Sequence, residues 1–406
     1  MKQIVNMKTR HLWLILLFSL SALTCLFLYY YIGGYGKYDI TGHWRICKYT
    51  LEGYNPYLLT GLDPVIESVG TIPHGFSTVP WGCVFGSIFY GGFLPLEWAV
   101  VYVYVLHFLT VAVLIGVLLK KFAHIFQSST AIILFFIPLS HFSFMYSVHY
   151  GNAGAIICCL LIIALLIYED NPWLAGILFG LSLMKPQISA IFCLVFLFKK
   201  QWKVLLVSFS IVFSGWGATA LITKTNPLTL LLQTFDKGTA SGGQYLGLFN
   251  NLKYFGIDSK IILMMNMVVG ICFVTILYYH ILNKSLQTNN SLFCFVPACI
   301  ASTFWFYKNG TDYMILAFAT LFFCILFLKA NMVFKDCIGA LFAIGYLQMS
   351  RCLVYLGIIC FEDNLFVRDL FKSFDGLILG ILGIYLCHSW KKYNGEAFLR
   401  IDNSNN

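Results

Sequence analysis

The chain has 406 residues, of which 59% are hydrophobic and only 11% charged, and its mean hydropathy is +0.80. Soluble globular domains carry about 25% charged residues, so the composition excludes a soluble enzyme and requires a polytopic membrane protein built by helix packing in lipid. The net charge of +9 is not a nucleic-acid signal, because Lys and Arg gather at the ends of apolar runs, where the positive-inside rule puts them.

The first apolar run, Leu12 to Gly33, is about 22 residues long. That is too long for the core of a cleavable signal, and no small-residue cleavage site follows, so it reads as a signal anchor. Lys2, Lys8 and Arg10 precede it and place the N-terminus inside. Next comes YDITGHWRICKYTLEGYNPY, Tyr38 to Tyr57, which crowds Asp39, His43, Arg45, Lys48 and Glu52 beside a membrane helix. Charges at a bilayer boundary are costly unless solvated or used. Ile40, Trp44, Cys47 and Leu51 form one apolar stripe at helical spacing, which predicts a short helix lying on the membrane surface. Asp39 and His43, four apart, share one flank; Gly53 ends the helix and the Asn55 to Tyr57 stretch turns. Two readings stand for this helix. It is an interfacial anchor with snorkelling cations, or it is a reactive face. In the second, Asp39 is a general base for a substrate hydroxyl, and Lys48, Arg45 or Lys185 binds a phosphate or pyrophosphate leaving group. The following GTIPHGFSTVPW reads as a loop or re-entrant segment, and its His74 is a substrate contact or a plain solvated side chain.

A spanning helix needs about 20 apolar residues. Further candidate spans are 98–119, 129–147, 151–168, 172–198, 203–222, 260–282, 291–306, 311–328, 333–358 and 374–390. Basic turns at Lys120–Lys121, Lys199–Lys203, Lys284, Lys329–Lys335 and Lys391–Lys392 mark the inside. These marks agree only if the 172–198 run dips and returns. Its middle, GLSLMKPQ, carries a helix-breaking Pro186 and a Lys185 that would cost about 2.5–3.5 kcal/mol in a lipid-exposed helix centre. The expected arrangement is therefore two half-length helices meeting at Lys185-Pro186, with the lysine in a polar cavity on the outer side, and about 12 crossings in all. One long kinked helix would reverse the later loops and break the charge pattern.

The expected layout is a single all-α transmembrane domain over residues 1–390, with a first extracytoplasmic loop at 34–97 carrying interfacial helices, a second at 223–259, and a polar cytoplasmic tail at 391–406. Long connections fall outside the membrane and short basic ones inside, so the chemistry belongs outside the cytoplasm. The second loop contains DKGTASGGQYLGLFNN, a lid over sugars or a flexible connector. His149, Tyr150 and Asn152 fall near the outer face and are candidates to line a cavity. Asp312, beside Tyr307, Lys308 and Asn309, binds sugar hydroxyls, pairs with Lys185 or Lys308, or serves its helix N-terminus. Arg351, inside an apolar run, needs an acidic or phosphate partner. The 14 cysteines form no framework: Cys158, Cys159, Cys193, Cys272, Cys294 and Cys324 sit within apolar runs as small hydrophobes, and none has zinc spacing. Nothing in the sequence requires a metal or another cofactor.

Three places give the chain a resemblance. They are Asp39 with LEGYNPY shortly after the first span, the run AGILFGLSLMKPQISAIFCLVFLFKKQW following Gly151-Asn152, and the late polar cluster YKNGTDYMIL. Together these resemble the GT-C superfamily of polytopic glycosyltransferases, in particular glycosyltransferase family 87, the polyprenyl-phosphate-mannose-dependent mannosyltransferases of bacteria. The resemblance covers the first two-thirds well. His43 departs from the Tyr often found four residues after the Asp, and IPHG from the usual Tyr-Pro-Pro. The resemblance implies transfer of a mannose-like hexose or pentose from a polyprenyl-phosphate donor to a hydroxyl of a lipid or glycan acceptor. The reaction would run with inversion on the extracytoplasmic side of the plasma (bacterial inner) membrane, with Asp39 as base. Lys185, Arg45 and Lys48 are then the candidates for the donor phosphate, and His43, His74, His149, Asn152 and Asp312 for the rest of the substrates. Two rival readings are a transporter or lipid flippase, for which broken helices and intramembrane cations also suit, and a polysaccharide polymerase or ligase using a pyrophosphate-linked donor.

Overall fold

The computed structural model describes residues 7–31, 38–58, 79–122, 136–242, 248–282, 292–306, 310–360 and 364–393. Among these, every regular element is helical, the form in which an apolar chain pairs its backbone groups without water. In order they are α1 (Met7–Tyr31), α2 (Tyr38–Leu51), α3 (Pro80–Tyr90), α4 (Leu96–Phe122), α5 (Phe142–Tyr150), α6 (Gly154–Ile167), α7 (Pro172–Ser182), the single turn α8 (Pro186–Ser189), α9 (Phe192–Phe198) and α10 (Trp202–Ile222). Then follow α11 (Pro227–Gly242), α12 (Ser259–Ile276), α13 (Val296–Ala301), α14 (Leu316–Lys329), α15 (Phe334–Cys360) and α16 (Leu365–Lys392).

Five stretches among the described residues are long and apolar enough to cross a membrane: Leu96–Phe122, Trp202–Ile222, Ser259–Tyr279, Gly310–Leu328 and Ser373–Lys392. They correspond to the expected spans at 98–119, 203–222, 260–282, 311–328 and 374–390. Other expected spans are divided. The 129–147 run is interrupted at Ser140, two residues after Pro138; the His141 side chain then accepts from the Ser143 amide and starts α5 afresh. The 291–306 run is a short 3-10 turn followed by α13, with Pro297 in its first turn.

The 172–198 run breaks where Pro186 requires. Asn171 caps α7 by accepting from the Leu174 amide, with Pro172 at the first helical position. The helix ends at Ser182, and α8 and α9 follow as separate pieces. Ring contacts give the direction of return: Phe196, near the end of α9, lies 4.9 Å from Phe179 in α7 and 5.9 Å from Tyr168, just before α7 begins. The segment thus doubles back, as the flanking lysines led us to expect. Gly176 and Gly180 let α7 lie close along α10, where an added Cβ would fall 2.6 Å from Val207 and 2.8 Å from Ile211.

The stretch Gly310–Leu328 is buried throughout, which is why it is apolar on every face. Around it, α1, α13 and α15 pack. One end of the bundle is tied by basic side chains. Arg10 donates to the carbonyls of Phe327 and Ala330, each at 2.7 Å. Lys121 meets Asp170 at 3.0 Å, and Lys392 meets Asp336 at 2.6 Å.

The apolar stripe of α2 meets protein rather than lipid. Ile40, Trp44 and Cys47 are buried against α3 and α4, and the Trp44 indole donates to the Leu94 carbonyl at 2.9 Å. Only Leu51 of the stripe is exposed. The expected loop at 34–97 therefore contains a packed helical pair, α2 and α3. The expected loop at 223–259 holds helix α11 and a 3-10 turn at Asn250–Phe255. These two loops join at the NPY turn: Asn55 donates to Gln233 at 3.1 Å, and Thr234 to the Tyr57 hydroxyl at 2.7 Å.

Candidate active site

At the end of the bundle opposite those basic ties, four side chains from four separate segments form one line of hydrogen bonds. The Asn152 amide nitrogen donates to Asp39 Oδ2 at 3.0 Å. Its amide oxygen accepts from Lys185 Nζ at 2.6 Å and from the Gly154 backbone N–H at 2.8 Å. Lys185 Nζ also reaches Asp312 Oδ1 at 3.1 Å, and the Thr311 hydroxyl donates to that same oxygen at 3.1 Å. The Lys185 side chain is 12% exposed and that of Asp312 1%. In so apolar a setting, removing one partner would leave the other a buried charge without its counter-ion.

Local sequence explains each placement. Asp39 opens α2, in the first turn, where the helix dipole favours a carboxylate. Asn152 sits in the short break between α5 and α6. Gly151 makes that break with φ +64°, and an added Cβ would fall 2.7 Å from Ile40 Cβ, so α2 and this turn touch where only glycine fits. Lys185 sits at the summit of the broken 172–198 segment. Two tryptophans pin that summit, Trp81 donating to the Leu183 carbonyl at 2.9 Å and Trp305 to the Gln187 carbonyl at 2.8 Å. The Ser182 carbonyl at the end of α7 accepts from the Lys185 backbone N–H at 3.1 Å and from the Ser189 hydroxyl at 2.9 Å. Asp312 lies in the 3-10 turn Gly310–Ile315 that leads into α14, packed so tightly on α6 that an added Cβ on Gly154 would fall 2.7 Å from Thr311.

Electrostatics follow from this burial. Burial holds the Asp39 carboxyl above its ordinary value, while the Asn152 hydrogen bond and the Lys185 charge pull it back down. A carboxylate whose proton affinity is raised by burial is suited to accept a proton. His43, one turn along α2, stacks on the Tyr90 ring with centroids 4.5 Å apart. Burial, then repulsion from Lys185, pushes its imidazole down to about 3, so it is neutral at physiological pH and serves hydrogen bonding rather than anion pairing.

Residues 80–333, well over half the chain, match the family described as glycosyltransferase family 87. The chain belongs to glycosyltransferase family 87. It is therefore a membrane glycosyltransferase. No curated protein and no solved structure matches it significantly. The family segment contains Asn152, Lys185 and Asp312. Asp39 precedes it and joins those residues through the Asn152 hydrogen bond.

Not every expected residue comes to the line. In this family 87 chain Lys48 lies nine residues along α2 from Asp39, about 13 Å by helical rise. It is half-exposed, pairs with Glu52 at 4.0 Å and lies 4.9 Å from the Trp44 ring centroid. Arg45 is half-buried on the same helix. His149, near the end of α5, is half-buried and meets the Tyr150 ring edge-on at 4.9 Å. His74, Lys308 and Asn309 lie outside the described residues, as does the Arg351 side chain.

Three contributors were not foreseen. The Tyr90 hydroxyl accepts from the Ala153 amide at 3.1 Å, and its ring carries His43. Thr311 supports Asp312. His107, inside the long α4, sets Nε2 2.9 Å from the Asn152 carbonyl oxygen. His107 left a signal of its own in the sequence, as a polar ring within an apolar span. Tyr90 looks like an ordinary residue of an apolar run, and Thr311 lies in the polar cluster YKNGTDYMIL with nothing to set it apart from its neighbours.

Proposed function

We propose that this glycosyltransferase moves a mannose-like hexose or pentose from a polyprenyl-phosphate donor to a hydroxyl of a lipid or glycan acceptor, with inversion, on the extracytoplasmic side of the membrane. The observation that carries the reading is the Asp39–Asn152–Lys185–Asp312 line, which sets a carboxylate and an ammonium one amide apart. Asp39 takes the proton as the acceptor hydroxyl attacks the anomeric carbon. Lys185 meets the negative charge that develops on the departing phosphate. Two of its three N–H groups are engaged among the described residues, by Asn152 and Asp312, and the third is offered to a phosphate oxygen. A single displacement of this kind inverts the anomeric centre, because base and leaving group act from opposite faces.

Asn152 keeps base and cation apart while orienting both. Asp312 holds Lys185 in place through their 3.1 Å ion pair and is a candidate partner for sugar hydroxyls, as is the neutral His43. Arg45 and Lys48, on the more exposed flank of α2, suit the lipid phosphate region at the membrane boundary. His149 and His74 remain candidates for the acceptor side. A lipid-linked donor fits a bundle of apolar helices, since its chain stays in the bilayer while the head group enters. The bundle's basic ties lie at the end away from Asp39, which supports an extracytoplasmic reaction under the positive-inside rule.

The test is Asp39→Asn in membranes supplied with a polyprenyl-phosphate sugar. The expected loss is about 10²–10⁴ in transfer rate, the usual worth of a general base. Unchanged transfer at normal expression removes Asp39 from the mechanism.

A further inference from the structure

His107 is fully buried in the middle of α4, among residues that otherwise suit a membrane span. A polar ring there is costly unless satisfied. Its two nitrogens face two carbonyls, Nδ1 at 2.7 Å from Val103 O one turn earlier and Nε2 at 2.9 Å from Asn152 O. Both partners are acceptors and a neutral ring carries a single N–H, so its proton belongs on the nitrogen that faces the carbonyl without a helical donor. The Val103 carbonyl belongs to an ordinary helical turn. The Asn152 carbonyl does not. The Ile157 amide already bonds to the carbonyl of Ala153, the N-cap of α6, so the carbonyl of Asn152 stands outside that helix. The backbone around Asn152 is held on its other sides as well, by the Ser147 carbonyl on its own N–H at 2.9 Å and by the Tyr90 hydroxyl on the next N–H at 3.1 Å.

We propose that His107 is a positioning residue for sugar transfer: its Nε2–H holds the Asn152 main chain and thereby aims the amide that connects Asp39 to Lys185. The inference rests on the reading of Asp39 and Lys185 as base and phosphate ligand. It gives an intramembrane histidine a role at a site it does not itself enter. Because a misplacement of about 1 Å in a catalytic group costs on the order of 10²-fold, loss of this one contact is felt in turnover rather than in donor binding.

Isosteres separate the two hydrogen bonds. The amide nitrogen of Gln falls near the position of Nε2, and that of Asn near the position of Nδ1. His107→Gln therefore keeps the bond to Asn152, and His107→Asn places its amide donor at Val103 alone. His107→Gln is expected to retain most transfer. His107→Asn and His107→Ala are expected to lose on the order of 10²-fold in kcat with little change in KM for the donor. Rates are taken per unit of protein that elutes as a single species in detergent. In an Asn152→Ala background, where the aimed amide is gone, adding His107→Asn should cost little more. A His107→Gln enzyme no better than His107→Asn, or losses that simply multiply in the double variant, overturns the proposal. His107→Asn keeps the helical bond, so it carries the cycle if His107→Ala fails to accumulate. Asp39→Asn, assayed in parallel, tests the underlying reading separately: full activity there defeats the base assignment whatever the His107 variants do.

Discussion

Asn152→Ala removes the amide that donates to Asp39 and accepts from Lys185. A hydrogen bond to a charged group contributes about 1.5–3 kcal/mol, and here the carboxylate is the form that receives it. In the wild type, burial raises the Asp39 carboxyl and the Asn152 bond opposes that rise. Without the bond the carboxyl rises further. A base must be ionised to work, so activity is lost as pH falls through its pKa, and a higher pKa moves that loss to higher pH. The energy of the bond corresponds to a decrease on the order of 10- to 100-fold in the ratio of ionised to protonated Asp39 at a fixed pH. The assay is a pH–rate profile of kcat/KM in proteoliposomes with a synthetic polyprenyl-phosphate sugar, which reports groups of the free enzyme. The acid limb should move up, and the plateau rate should fall because Lys185 loses the same partner. A lowered plateau with an unmoved acid limb would refute the claim that Asn152 holds the ionised base.

Further outcomes follow from the same geometry. Asp312→Ala strands a buried ammonium and should lower stability by about 3–5 kcal/mol, read as earlier thermal unfolding in detergent; a Lys185→Met/Asp312→Leu pair should recover much of that stability but not transfer. Lys185→Ala should depress transfer far more than Lys48→Ala, because Lys48 pairs with Glu52 at a half-exposed position, where such pairs contribute little; equal losses would reject Lys185 as the principal phosphate ligand. Gly151→Ala should impair both accumulation and transfer, since it meets a φ of +64° and the Ile40 side chain together. His43, held down at about 3, is neutral throughout the working range, so His43→Gln should change rate without changing the shape of the pH profile, as measured on the same substrates.

Much of the site was legible because its residues violate their surroundings. Asp39 opens a helix whose apolar stripe is visible at 40, 44 and 47. Lys185 precedes a proline in the middle of a greasy run, and a cation there must be used or expelled. Asn152 follows a glycine that no apolar helix needs. Asp312 stands at the head of a stretch that is apolar on all sides. Of the roles open to Asp312, pairing with Lys185 is present at 3.1 Å. Less legible was what α2 packs on, since an amphipathic stripe looks the same whether it faces lipid or protein. The divided spans were missed for a related reason: hydropathy counts apolar residues and is blind to Pro138 or a capping His141, which end a helix without ending the run.

By itself the sequence determined a helical membrane protein, its basic end, and a helix that must break at Lys185-Pro186, because solvation of charge and proline sterics act locally. Only the tertiary structure decided that residues 39, 152, 185 and 312 share one line of hydrogen bonds, with Asn152 between a carboxylate and an ammonium. That choice is made by close approaches between segments far apart in the chain, Gly151 against Ile40 and Gly154 against Thr311. No local pattern encodes such contacts, and so His107 shows its purpose only once the carbonyl it holds is seen.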